Sequence, residues 1–112
     1  MPYSQRWAYE FFCDNVVEDL PLILNEKGPW QWQRRESFIH GLYINTRPSD
    51  DVHVKINEYP QGFVQGTTKK TFAAILEVRE GSRDTEEEVD AAFLKILSHI
   101  RAVDIRSVEP YD

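Results

Sequence analysis

The side chains able to do nucleophilic, acid–base or metal chemistry are few here: one cysteine, Cys13, and three histidines, His40, His53 and His99. Cys13 falls on an apolar stripe, where a thiol acts as a small core residue rather than as a nucleophile. Being single, it forms no intrachain disulfide, and no combination of Cys and His has zinc-ligand spacing, so no metal is expected. The five glycines, at positions 28, 41, 62, 66 and 81, match neither the dinucleotide nor the Walker phosphate-loop pattern, which removes those nucleotide cofactors. One pair keeps chemical interest. If Thr46 faces Val52 in a hairpin, His40 lies opposite Glu58, and a carboxylate beside an imidazole can orient it as a general base lining a pocket. The stronger reading of the same pair is that it closes the edge of a core by hydrogen bonding. With no nucleophile or oxyanion donor nearby in the sequence, no reaction class follows, and catalysis is not the expected role.

A second constellation mixes aromatic and basic residues: Trp30, Trp32, Arg34, Arg35, Tyr43, Lys55 and Tyr59. Aromatic residues and arginine dominate the energetics of protein interfaces, so Trp30, Trp32, Arg35, Tyr43, Lys55 and Tyr59 are the candidate partner-binding residues. The alternative for the tryptophans is that one or both fill the core.

The elements that must position these residues are read from periodicity. Ala8-Tyr9, Phe12-Cys13, Val16-Val17 and Leu20 recur every four residues. They predict a helix from about Ser4 to Leu20, stopped by Pro21, with Glu10, Asp14 and Glu18 on its far side. Those acids form a solvated face or a dock for a cationic partner. Trp30–Glu36 reads as a short strand and Ser37–Thr46 as a better one, while Val52–Tyr59 resumes alternation after the Arg47-Pro48-Ser49-Asp50-Asp51 turn, giving a β-hairpin. Its apolar side carries Leu42, Ile44, Val54 and Ile56, and its other side carries Tyr43 opposite Lys55. Pro60–Lys70 reads as a loop. Thr71–Glu80 fits strand or helix, and its shortness favours strand. Thr85 and Glu88 form a capping box for a last helix whose stripe is Val89, Ala92, Phe93, Ile96, Leu97 and Ile100, and Glu86–Glu88 suit its electropositive end. Val103–Val108 adds a short extended tail.

The expected architecture is therefore α+β: an antiparallel sheet of three to four strands between an N-terminal and a C-terminal helix, in α-β-β-β-α order, with both helices on one sheet face. At 112 residues, with 41% hydrophobic and 29% charged residues, a single domain over 1–112 is expected to fold without disulfide or metal. No basic flank precedes an apolar run near the N-terminus, so neither a signal peptide nor a membrane span is expected, and the lone cysteine suits a reducing, cytoplasmic setting.

The net charge of −6 is uneven: residues 27–70 carry seven bases against four acids, and both flanks are acidic. Such an overall sign disfavours nucleic acid and is easier to reconcile with a basic protein partner. The helix–three strands–helix order is shared with double-stranded-RNA-binding domains, but the acidic last helix lacks the basic cluster that such binding requires. The function expected is a small non-catalytic protein-interaction module, an inhibitor or antidote of a basic partner being one form of it. The alternatives are a small-molecule binder or minor enzyme with a pocket near His40 and Glu58, and a structural subunit that assembles with itself or a larger complex.

Overall fold

The computed structural model describes residues 5–37, 41–63 and 69–110. Along the chain come β1 (Gln5–Cys13), a 3-10 turn (Val17–Asp19), α1 (Leu20–Lys27), β2 (Gln33–Ser37), β3 (Gly41–Ser49), β4 (Val52–Phe63), β5 (Lys70–Val78), α2 (Glu86–Ser98) and β6 (Val103–Val108). The six strands make one sheet in the order β2-β3-β4-β5-β1-β6, every neighbouring pair antiparallel.

This overturns the expected sheet of three to four strands between two terminal helices. The N-terminal segment is a strand, not a helix, and it runs between β5 and β6 inside the sheet. Its apolar residues come in pairs because both of its faces are covered: Phe11 and Cys13 are buried on one side and Ala8 on the other. A strand buried on both sides loses the alternation that would identify it, and its pairs imitate a helical stripe. Pro21 does not stop a helix. It occupies the first turn of α1, where a missing N–H costs nothing and the fixed φ favours helix entry.

β5 is the central strand and is buried almost throughout, with Phe72, Ala74, Leu76 and Val78 toward the core and Ala73 and Ile75 toward the opposite face. The core lies on one side of the sheet. There Phe11 stacks on its cross-strand partner Phe72 with ring centroids 5.5 Å apart, next to Ile44, Val54, Ile56 and Leu76. Leu20 and Leu24 of α1 and Phe93, Ile96 and Leu97 of α2 complete the same cluster. The capping box forms: the Glu88 backbone N–H donates to Thr85 Oγ1 at 3.1 Å.

The β3–β4 hairpin has the expected faces but a different register. Ile44 opposes Ile56, Thr46 opposes Val54 and Tyr43 opposes Asn57, two residues from the expected pairing, with an irregularity between Thr46 and Ser49 that absorbs the difference. A shift of two preserves which face each side chain takes; a shift of one would have inverted it.

Candidate interaction face

Among the described residues both helices pack on one side of the sheet, so the other side is helix-free, and antiparallel register lays its side chains in rows. One row runs Arg35, Tyr43, Asn57, Ala73, Glu10, Arg106 from β2 to β6; the next runs Gln33, Asn45, Lys55, Ile75, Ala8, Val108; a third holds His53, Glu77 and Arg6. The middle of the face is small and apolar, and Ala8 and Ala73 there are 0% exposed. Longer side chains from the flanking strands cover them, so this face has an apolar floor beneath a polar layer.

The polar layer is bonded to itself. Arg35 donates to Gln33 Oε1 at 2.6 Å and to Asn45 Oδ1 at 3.4 Å; Asn45 Nδ2 lies 3.1 Å from His53 Nε2. His53 Nδ1 is 3.1 Å from Glu77 Oε1, and Glu77 Oε2 pairs with Arg6 Nε at 3.0 Å. The chain of contacts thus crosses β2, β3, β4, β5 and β1. The asparagine amide donates to Nε2, so Nε2 accepts and the proton sits on Nδ1, directed at Glu77; this is a neutral imidazole. Burial holds the His53 pKa below its ordinary value, against the opposing hydrogen bond to Glu77, with Arg47 and Lys55 adding to the lowering. Burial likewise lowers the Lys55 ammonium, whose Nζ lies 5.5 Å from the Tyr43 ring centroid. At the other end of the face Glu10 accepts from the Tyr59 hydroxyl at 2.8 Å and from Arg106 at 3.0 Å, and the Arg106 guanidinium lies over Phe12.

Of the residues singled out from sequence, Arg35, Tyr43, Lys55 and Tyr59 come together on this face. Trp30 and Trp32 do not. They precede β2, and Trp32 is 3% exposed within the core, with Trp30 tilted against it at 6.3 Å. Asn25 of α1 fixes the segment by accepting from the Trp32 N–H at 2.6 Å and donating to its carbonyl at 3.0 Å, while Thr46 donates to the Gln31 carbonyl. The tryptophans therefore fill space between α1 and the sheet.

The His40–Glu58 pairing rests on the displaced register, and His40 lies outside the described residues. Glu58 opposes Phe72 of β5, and its carboxylate accepts the Val17 backbone N–H at 3.3 Å, tying the 3-10 turn to β4. Cys13 is buried and its thiol contacts the Ile100 carbonyl at 3.2 Å. Sequence reasoning missed Arg6, Glu77 and Arg106 and placed Glu10 on a helix face, because the roles of Arg6, Glu10 and Arg106 depend on β1 being a strand between β5 and β6. The available signal was the density of aromatic residues in Trp7–Phe12, which favours strand over helix.

The helix-bearing side has a different character. Asp90 of α2 accepts from Trp7 Nε1 at 2.8 Å and from the Tyr9 hydroxyl at 2.5 Å, and a cleft of about 300 Å³ is lined by these three residues with Glu86, Glu87 and Ser107. Among the described residues no group of three His, Cys, Asp or Glu side chains is placed to hold a metal ion, and no helix is long and apolar enough to cross a membrane. No protein-family model matches the chain, and no curated protein shows significant similarity to it.

Proposed function

We propose that this protein is a small non-catalytic interaction module that docks a protein partner on the helix-free face of its sheet. The observation that carries the reading is the convergence of Arg35, Tyr43, Lys55 and Tyr59, drawn from three strands, onto one face. Their mutual contacts with Gln33, Asn45 and Glu10 hold these side chains in place before a partner arrives, which lowers the entropy lost on binding. Tyrosine and arginine are the residues that anchor interfaces most strongly.

The test substitutes Tyr43→Ala and Lys55→Ala singly in the full chain. With the partner captured from the native organism and then purified, each variant is expected to weaken the complex by about tenfold, the order of one interface hot spot, while circular dichroism and Tm stay near the parent. Unchanged affinity in both variants would remove the face from consideration.

The acidic helix-bearing side favours a second reading, an inhibitor or antidote of a basic protein partner. Glu86, Glu87 and Glu88 are exposed in the first turn of α2, and the adjoining cleft has aromatic walls. Helix capping and the helix dipole already account for these acids, so the reading rests on their position beside Trp7 and Tyr9. Glu87→Lys would weaken such a complex without touching the sheet face.

A further inference from the structure

We propose that the protein pairs with a second copy of itself through β2, the two strands running antiparallel about a two-fold axis at Arg35, so that two six-stranded sheets join edge to edge. The inference goes beyond the docking reading and does not depend on it.

The two edges of the sheet differ. On β6 the register with β1 shifts between Glu10 and Phe12, and Asp104 has a φ of 52°. β2 has no such break. All five of its residues pair with β3 in unbroken register, from Gln33 opposite Asn45 to Ser37 opposite Gly41. Among the described residues no other strand borders β2, and Gln33, Arg34, Arg35 and Glu36 are exposed. The N–H and C=O groups that β2 turns away from β3 therefore make a regular, uncovered row, a template on which another strand can pair.

Charge selects that strand. Charged side chains usually protect a bare edge, but they repel only a strand whose own charges do not match them. The order Gln33-Arg34-Arg35-Glu36-Ser37 matches itself in reverse. Antiparallel pairing centred on Arg35 sets Arg34 of each copy opposite Glu36 of the other, and Gln33 opposite Ser37. Arg34 and Glu36 pair across β2 and β3 with Ile44 and Leu42 and so share one side of the sheet. Among the described residues no hydrogen bond or ion pair holds either of them in the single chain. Two cross-strand ion pairs thus become available when a second copy arrives. The one like pair is Arg35 with its own copy. Its guanidinium donates to Gln33 at 2.6 Å and to Asn45 of β3 at 3.4 Å, which draws the charge back over the sheet. Symmetry closes the assembly at two, because both copies use the same edge and the irregular β6 edge is a poor template for a further strand. A five-residue pairing buries little area, so the dimer is weak and forms at high concentration.

The experiment follows the intact protein by sedimentation up to about 1 mM, the concentration scale of a weak complex, and its amide NMR signals over the same dilution series. A monomer–dimer equilibrium is expected, with the concentration-dependent shifts on β2. Arg34→Glu and Glu36→Arg each turn both ion pairs into like-charge pairs. Each should weaken the dimer about tenfold, with circular dichroism and Tm near the parent because both side chains are exposed. Mixing the two variants puts opposite charges back across the joint, so an equimolar mixture should dimerise like the parent although neither variant does so alone. A protein that stays monomeric throughout the series, growth beyond two copies, shifts centred on β6 or α2, or a mixture that associates no better than its components would overturn the inference. The docking reading is tested separately, by the captured partner and the Tyr43 and Lys55 variants, and either reading can fall while the other stands.

Discussion

Tyr9 and Tyr59 have the same environment on opposite faces of the sheet. Each phenol donates to a carboxylate, Tyr9 to Asp90 and Tyr59 to Glu10, and each is pushed up to about 12, first by burial and then by the hydrogen bond and the neighbouring negative charge. The folded state therefore holds these protons more tightly than an unfolded chain, whose phenols titrate near 10.0. The resulting stabilisation is complete below pH 10 and is lost as pH rises through about 12. Tyrosinate absorbance during an alkaline titration should accordingly show a late phase near 12, and Tyr59→Phe should remove part of it. A single phase near 10 in the parent protein would contradict this environment. His53 runs the other way. Its pKa is lowered in the fold, so below the ordinary value of 6.5 the unfolded chain takes up more protons, and stability is present above that pH and lost as pH falls. The parent protein should lose Tm on mild acidification, and His53→Gln, which keeps polar atoms in the same place, should flatten that part of the profile.

α2 owes its start to a single threonine. Thr85 accepts the Glu88 N–H, and without that oxygen one orphan donor of the first turn is left to solvent. Thr85→Ala is expected to cost about 1 kcal/mol in denaturant unfolding, with the helix-free face unaffected because α2 lies on the other side of the sheet. This element was legible from the sequence, since a capping box is a local signal that no distant contact can alter. So were the faces of the β3–β4 hairpin, where one covered side and one polar side produce alternation. β1 was not legible, because Ala8 is covered from one side and Phe11 and Cys13 from the other by strands and helices far along the chain. Register was out of reach for a related reason: the irregularity after Thr46 inserts residues that no alternation pattern counts. Of the candidate binding residues, those on alternating strands came together, while of the two tryptophans, outside any strand, Trp32 went to the core and Trp30 packs half-buried against it. Their type suits both an interface and a core, and only the Asn25 clamp decides between them.

On the scale of the whole molecule the sheet separates two chemistries, a cation-rich open face and an acid-rich side carrying α2. Its last strand also has a protective role. β6 pairs with β1 and shields an edge whose Phe11 and Cys13 belong to the core. Asp104, at a φ of 52°, lies where the β1–β6 register shifts, and such an irregularity makes an outer edge a poor template for another strand. Removing residues 103–112 should expose β1 as a regular, aromatic-rich edge and make the protein self-associate with rising concentration, which sedimentation would detect. A truncated chain that stayed monomeric at all concentrations would show that β6 has no such role. The strand order also sets a schedule for folding. β1 pairs with β5 and β6 rather than with β2, so Gln5 must find Val78 across a long stretch of sequence. The β2–β4 meander can form from pairings between neighbouring strands, whereas both edges of β1 close only through long-range contacts, which is the slow part of assembling such a sheet.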